Sequence, residues 1–508
     1  MIKLRNKAIS VILALTYLIT NQSCTSDENS RFLQINDNLN KFTLNITLST
    51  ENHELSIKQN LIYHNMSGTD LSEIYFNLYP NGYKKEGGGI TVNSFAIDGS
   101  QITLEKEDDT LFKVDLHKPL ISGDTVSIDM DYTVKIPNIS DHFGYQGNHY
   151  NLGNFCISPA VYGENGWCKY EYYTLGDFNY NDIANFDVTI NVPEGYVVAA
   201  SGKEIEKHRF QSNNVRDFVF CTNDKFQSMS EMSDGISITV YYVENLESDA
   251  FVAIEAAKES IALYSDLLTF YPYPTFGIVL TNLESGVGAI EYPCFTLVNI
   301  HTPLDELEQM FKDLSNEQNN NFRANNNRMY DYQKSVIKTM VAHEVAHQWF
   351  YGLIGNDQIM EPWLDESLAS FFENVYLERY SPDLQSLINR EKHSTNDKDW
   401  VYKAKKHKDY NSKDPSMFTY YMKIPASVYD FKKYPESYSE VVYSRGDHML
   451  YLMRKEMGEE DFYKVFKSYT ETFLLKNVTT RDFVAFWKAH SPIDLDEIFI
   501  NFIGKDYL

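Results

Sequence analysis

His343 and His347 stand four residues apart with Glu344 directly after the first, and Glu366 follows with eighteen residues between it and His347. The spacing constrains the fold more than any other feature of the chain. Residues four apart on a helix share one face, one turn apart, so both imidazoles can reach a single point. The segment Ser335 to Gly352 has the period of such a helix, with Val336, Met340, Val341, Val345 and Trp349 at core-facing intervals. A second helix is predicted from Pro362 to about Tyr380, opened by a proline in its first turn and closed before Pro382. It carries Glu366 in its first turn. Two imidazoles and one carboxylate leave a fourth tetrahedral position for water, the pattern of a catalytic rather than a structural zinc site. Glu344 lies beside those ligands without being needed as one, as a general base must.

Read further, His343-Glu-Val-Ala-His347-Gln-Trp-Phe and Trp363-Leu-Asp-Glu366-Ser-Leu-Ala resemble the signature of the aminopeptidase N family of zinc metallopeptidases. Gly288-Ala-Ile-Glu291-Tyr-Pro resembles that family's exopeptidase motif, and Val442-Tyr443-Ser-Arg-Gly446 its catalytic-tyrosine segment. Tyr75-Phe-Asn-Leu-Tyr-Pro-Asn81 and Asn185-Phe-Asp-Val-Thr-Ile-Asn-Val-Pro193 resemble strands of its amino-terminal β domain. The chain departs from the motifs at Ile290 and Tyr292, and at Asp365 and Ser367 beside the third ligand. Those departures bear on the shape of the first specificity pocket, not on zinc or amine binding.

The resemblance implies one zinc ion held by His343, His347 and Glu366, with Glu344 as base and Tyr443 as donor to the oxyanion. Tyr438 is the nearby alternative donor. Glu291 is implied to pair with the free amino terminus of a peptide, and Gly288 and Ala289 to run alongside its backbone. At an effective dielectric near 20 a close ion pair is worth up to about 4 kcal/mol before desolvation, enough to separate an exopeptidase from an endopeptidase. Asp365 and Glu373 are either groups that orient the ligands or solvent-facing helix residues.

Lys3, Arg5 and Lys7 precede the apolar run Ala8 to Ile19, which is too short to span a bilayer and suits a secretory signal. Asn21-Gln-Ser-Cys24 resembles a bacterial lipoprotein box, making Cys24 the expected lipidation site, and Thr25-Ser-Asp-Glu-Asn resembles the acidic tags of surface lipoproteins. The expected location is the outer membrane, on its periplasmic or cell-surface face, with contact to the membrane through the lipid alone. A formal charge of −26 argues against nucleic acid or anionic membrane as partners. Cys156, Cys168, Cys221 and Cys294 lack metal-ligand spacing, and Cys156 and Cys168 are close enough in sequence to close a short loop.

Short alternating runs such as Phe42 to Leu48 and Ser127 to Val134, broken by Gly, Asn and Pro, predict strands as far as residue 245. Helical periodicity dominates from Asp249. The expected organisation is a signal peptide over 1–23, an acidic tether over 24–30, an amino-terminal all-β, sandwich-like domain over 31–245, and a thermolysin-like α/β, mainly helical zinc peptidase domain over 246–508. The asparagine tract from Gln318 to Asn327 reads as a mobile insertion and Lys403 to Lys408 as a solvated basic loop. The expected function is removal of amino-terminal residues from peptides. The alternatives are a thermolysin-like endopeptidase and a non-catalytic binding scaffold of the same superfamily.

Overall fold

The computed structural model describes residues 32–284, 286–308, 320–382 and 423–508, with the side chains of 320–328 excepted. Cys24, the leader, the tether and the Lys403 to Lys408 cluster lie outside the described residues. The described residues from Ile35 onward form one compact unit.

The amino-terminal half is β, as expected. Phe42, Leu44, Ile46 and Leu48 alternate with exposed residues on strand Asn40–Ser49, and Val126, Ile128, Met130, Tyr132 and Val134 alternate with exposed or half-buried ones on Thr125–Lys135. A period of two puts each set on one face, so both strands bury one side. They belong to an eight-stranded sheet ordered Lys203–Glu206, Arg209–Val215, Ala184–Asn191, Asn40–Ser49, Glu54–His64, Thr125–Lys135, Gly89–Ile97 and Ser100–Gln101. Only Asn40–Ser49 with Ala184–Asn191 pairs in parallel. A four-stranded sheet containing Leu71–Asn77 and Leu111–Leu120 packs on it, as the rings of Phe76 and Phe112 from the second sheet meet Phe95 of the first at centroid distances of 5.4 and 5.6 Å. This is the packing of a sandwich.

A five-stranded sheet starts the carboxy-terminal half, in the order Gln227–Ser233, Ile236–Tyr242, Thr275–Thr281, Phe295–Asn299, Ala289–Tyr292. The joint read at residue 245 falls within this sheet, two of whose strands precede it. Helices follow: α1 (Glu247–Leu267), α2 (Asn320–Ala346), α3 (Trp363–Tyr380), α4 (Arg445–Met457), α5 (Glu459–Thr472), α6 (Thr480–His490) and α7 (Asp496–Phe502). The buried Tyr264 of α1 fixes the two central helices, because its hydroxyl meets the carbonyls of Ala342 on α2 at 3.1 Å and Phe372 on α3 at 2.9 Å. None of the described helices is long and apolar enough to cross a membrane.

Three details differ from the sequence reading. Helix α2 begins at Asn320, so most of the asparagine tract is helical: extending a helix that is already nucleated costs little per residue even for poor formers. Ile337, Val341 and Val345 form the buried stripe of α2, while Val336 and Met340 are half-buried. Cys156 and Cys168 are free thiols.

Candidate active site

Helix α2, the turn that closes it and helix α3 bring His343, His347 and Glu366 together. The two Nε2 atoms are 3.1 Å apart, and Glu366 Oε2 lies 3.2 Å from the first and 3.3 Å from the second. Ligands about 2.0–2.1 Å from a tetrahedral zinc ion are separated by about 3.3 Å, so the triangle has the size of one face of that tetrahedron.

The hydrogen bonds behind the triangle fit the same ion. Nδ1 of His347 is 3.1 Å from the carbonyl of Phe350, and Nδ1 of His343 is 3.0 Å from Glu373 Oε2. A carbonyl or carboxylate oxygen only accepts, so both Nδ1 atoms carry the proton and both Nε2 lone pairs face inward. With neutral imidazoles three lone pairs thus converge with no hydrogen-bond donor among them, and a cation satisfies all three. Electrostatics agrees. Burial works to raise the Glu366 carboxyl, but the two histidines outweigh it and hold the group well below the usual carboxylate range. Burial likewise works to lower both imidazoles, yet the carboxylates around them drive both upward. The site calls for positive charge.

Other expected residues gather round. Glu344 is 4 % exposed, and its Oε2 has no hydrogen-bond partner. Burial pushes its carboxyl up to about 7, against the pull of the two histidines. Tyr443 donates from its hydroxyl to Glu366 Oε1 at 2.6 Å. It sits in a π-helical turn, Glu440–Ser444, at the start of α4, a local widening common at functional sites. Tyr438 is also buried, but its hydroxyl has no partner and abuts Gly176, where a Cβ would lie 2.2 Å from the phenol oxygen. A Glu291 oxygen, a His347 nitrogen and an Asp365 oxygen all lie within 4.8 Å of one another. Glu291 projects from Ala289–Tyr292, the terminal strand of its sheet, whose register begins at Ala289 opposite Val298. Gly288 precedes it against Met340 of α2. Asp365 is fully buried, accepting from Gln358 and from the backbone N–H of Glu366. Neither it nor Glu373 is a solvent-facing helix residue.

A model of the peptidase family M1 domain matches residues 252–502. Residues 252–502 form a peptidase family M1 domain. It is 23 % identical over 327 residues to a probable aminopeptidase 2 of Sulfurisphaera tokodaii, covering 63 % of this chain and 37 % of that one. It is 22 % identical over 475 residues to aminopeptidase N of Lactobacillus helveticus, covering 89 % and 50 %. The chain thus spans half or less of the length of these curated relatives. Among solved structures, an M1 zinc metallopeptidase from Deinococcus radiodurans matches with a TM-score of 0.58 at 16 % identity, over 94 % of this chain and 96 % of that one. A mutant form bound to a Tyr-Ser-Ala substrate matches with a TM-score of 0.57 at 17 % identity, over the same shares. At these identities the likeness is one of fold, and the β-then-helical order of this M1 chain agrees with it.

The departures of this M1 chain from the family motifs find physical places. Ile290 and Tyr292 alternate with Glu291 and point the other way, into an apolar cluster with Val219, Cys221, Phe226 and Leu297. Ser367 donates to the carbonyl of Val442, and Gly446 leaves it room, since a Cβ there would lie 1.9 Å from the Ser367 hydroxyl. The third-ligand helix is thereby tied to the Tyr443 segment. Two site residues escaped the sequence reading. Asp177, on a loop from the β half, lies close to Glu366, and burial together with the charge of that neighbour pushes its carboxyl up to about 7. Gln358, on the connection from α2 to α3, touches both Glu291 and Asp365. Both come from irregular segments, where no periodicity marks a residue.

Proposed function

We propose that this M1 chain is a zinc aminopeptidase that removes single residues from the amino termini of peptides. The observation that carries the reading is Glu291 beside the ligand triangle, its carboxylate within 4.8 Å of a His347 nitrogen. A peptide advances at most about 3.3–3.6 Å per residue, so a substrate amine paired with Glu291 leaves room for one residue before the carbonyl under attack.

Held by His343, His347 and Glu366, zinc would supply Lewis acidity, lowering the pKa of a water and polarising the scissile carbonyl. The chain's own groups do the rest. Glu344, with an unpartnered oxygen, takes the proton of the attacking water and passes it to the leaving amine. The Tyr443 hydroxyl moves from Glu366 to the carbonyl oxygen as negative charge grows there. Glu291 binds the ammonium group, and the terminal strand from Gly288 and Ala289 offers backbone groups for an extended peptide to pair with.

A free leucyl peptide and its amino-acetylated twin test this reading. The free peptide should be shortened from its amino terminus in a chelator-sensitive reaction, with the acetylated form untouched. Cleavage of both would mean an endopeptidase, and cleavage of neither by zinc-loaded protein a binding scaffold. The basic and apolar leader and Cys24 support an exported, lipid-anchored placement at a bacterial outer membrane. Metabolic labelling with palmitate, abolished in Cys24→Ala, tests that placement.

A further inference from the structure

Gln358 is 2 % exposed. Its Nε2 donates to Glu291 Oε1 at 2.8 Å and to Asp365 Oδ2 at 2.8 Å. Two carboxylates on one side fix the orientation of the amide, because only the nitrogen can donate to them. The carbonyl oxygen is thereby directed elsewhere, and it has no hydrogen-bond partner. Buried acceptors are nearly always satisfied, so an orphan beside a binding site points to the donor it awaits. The oxygen and nitrogen of one carboxamide are about 2.3 Å apart, which puts Oε1 within about 5 Å of the Glu291 oxygen. One small cationic donor seated against Glu291 can reach both.

We propose that Gln358 Oε1 is a second acceptor for the ammonium group of the substrate, beside Glu291, and that it selects primary over secondary amines. This rests on the aminopeptidase reading above. A primary ammonium has three N–H donors to share among Glu291, Gln358 and one further acceptor. An N-methyl amine has two, and loses the contact with one of them. The donor half of the same amide holds Glu291 and Asp365 in place, so one side chain both positions the amine-binding acid and completes its site.

The test measures turnover of leucyl anilide, with leucinamide and N-methyl-leucinamide as competitive inhibitors, in wild type, Gln358→Met and Gln358→Glu. Wild type is expected to bind the N-methyl compound about ten-fold more weakly than the primary amine, the scale of one hydrogen bond to a charged group. In Gln358→Met the penalty should shrink below about two-fold, with KM raised about ten-fold, kcat within about three-fold and zinc content unchanged. Gln358→Glu, sharing a proton with Glu291 and Asp365 as a third buried carboxyl, keeps an O–H donor towards them and an acceptor oxygen towards the amine, and should keep the discrimination, which decides the matter should the methionine variant not fold. An equal methyl penalty in wild type and Gln358→Met, or its loss in Gln358→Glu, overturns the proposal while leaving the aminopeptidase reading intact. Absence of turnover in zinc-loaded wild type overturns both.

Discussion

Glu366 divides its two carboxylate oxygens between Tyr443 and the histidines: Oε1 accepts from the Tyr443 hydroxyl at 2.6 Å, while Oε2 faces both imidazoles. The phenol is therefore parked on the ligand that anchors the site, and the stacked ring of His343, 6.0 Å away between centroids, limits its swing. Tyr443→Phe removes the donor and keeps the ring. The expected result is a fall in kcat of about 10²–10³-fold, the loss typical of one oxyanion donor, with KM within a few-fold and zinc retained. Steady-state kinetics with metal analysis checks it. Loss of zinc in step with activity would make the tyrosine a ligand-orienting group only.

Glu344→Gln preserves size and burial while removing the base. The unpartnered Oε2 of Glu344 is not engaged in holding the fold, so the variant should keep its zinc and its melting temperature. Turnover should drop by about 10²–10⁴-fold, the range for a lost general base. Near-normal kcat with full zinc would reassign the base.

Much of the site could be read from spacing because it lies on helices and a strand. The four-residue step from His343 to His347 fixes a shared face whatever else the chain does, and Glu366 in the first turn of a proline-opened helix is nearly as constrained. Strand alternation, likewise, already separates Glu291 from Ile290 and Tyr292, which the structure turns into the core. Tyr443 and Tyr438 could not be told apart by composition, because a π-helical turn shifts the register at Tyr443 and helical periodicity does not foresee it. Gln358 and Asp177 lie on irregular segments and reach the site only through tertiary folding. The strands Gln227–Ser233 and Ile236–Tyr242 read as part of the β half, since their alternation carries no record of which sheet they join.

His343 owes its orientation to Glu373, whose Oε2 accepts from Nδ1 at 3.0 Å. Glu373→Ala frees the ring and withdraws the negative charge that makes Nε2 a better ligand. Zinc affinity should fall about 10–100-fold, measured by chelator competition. Zinc added to metal-free wild type at 100 times its dissociation constant should raise stability by about 2.7 kcal/mol, and the same free zinc should stabilise Glu373→Ala by less. Equal affinities in the two proteins would exclude an orienting role.

Arg216 joins the halves of the molecule behind the site. It is 4 % exposed, and its Nε donates to the carbonyl of Tyr351, just beyond the second histidine, at 2.6 Å. Its two terminal nitrogens reach the Asn181 carbonyl, the Lys476 carbonyl and Asn477 Oδ1. The guanidinium presses so closely on Gly355 that a Cβ there would lie 2.1 Å from it. Arg216→Met would strand several buried acceptors from three parts of the chain, and breaking such a buried, charged hub costs about 3–5 kcal/mol. The midpoint of urea unfolding should fall accordingly, and limited proteolysis should become faster. Because Tyr351 lies in the turn that follows His347, zinc affinity should weaken as well, while the KM of the zinc-saturated variant stays near that of wild type. A variant as stable as wild type would show that the halves are held without Arg216, by their apolar contacts and by bonds such as those of Tyr351 with Asp217 and Asn179.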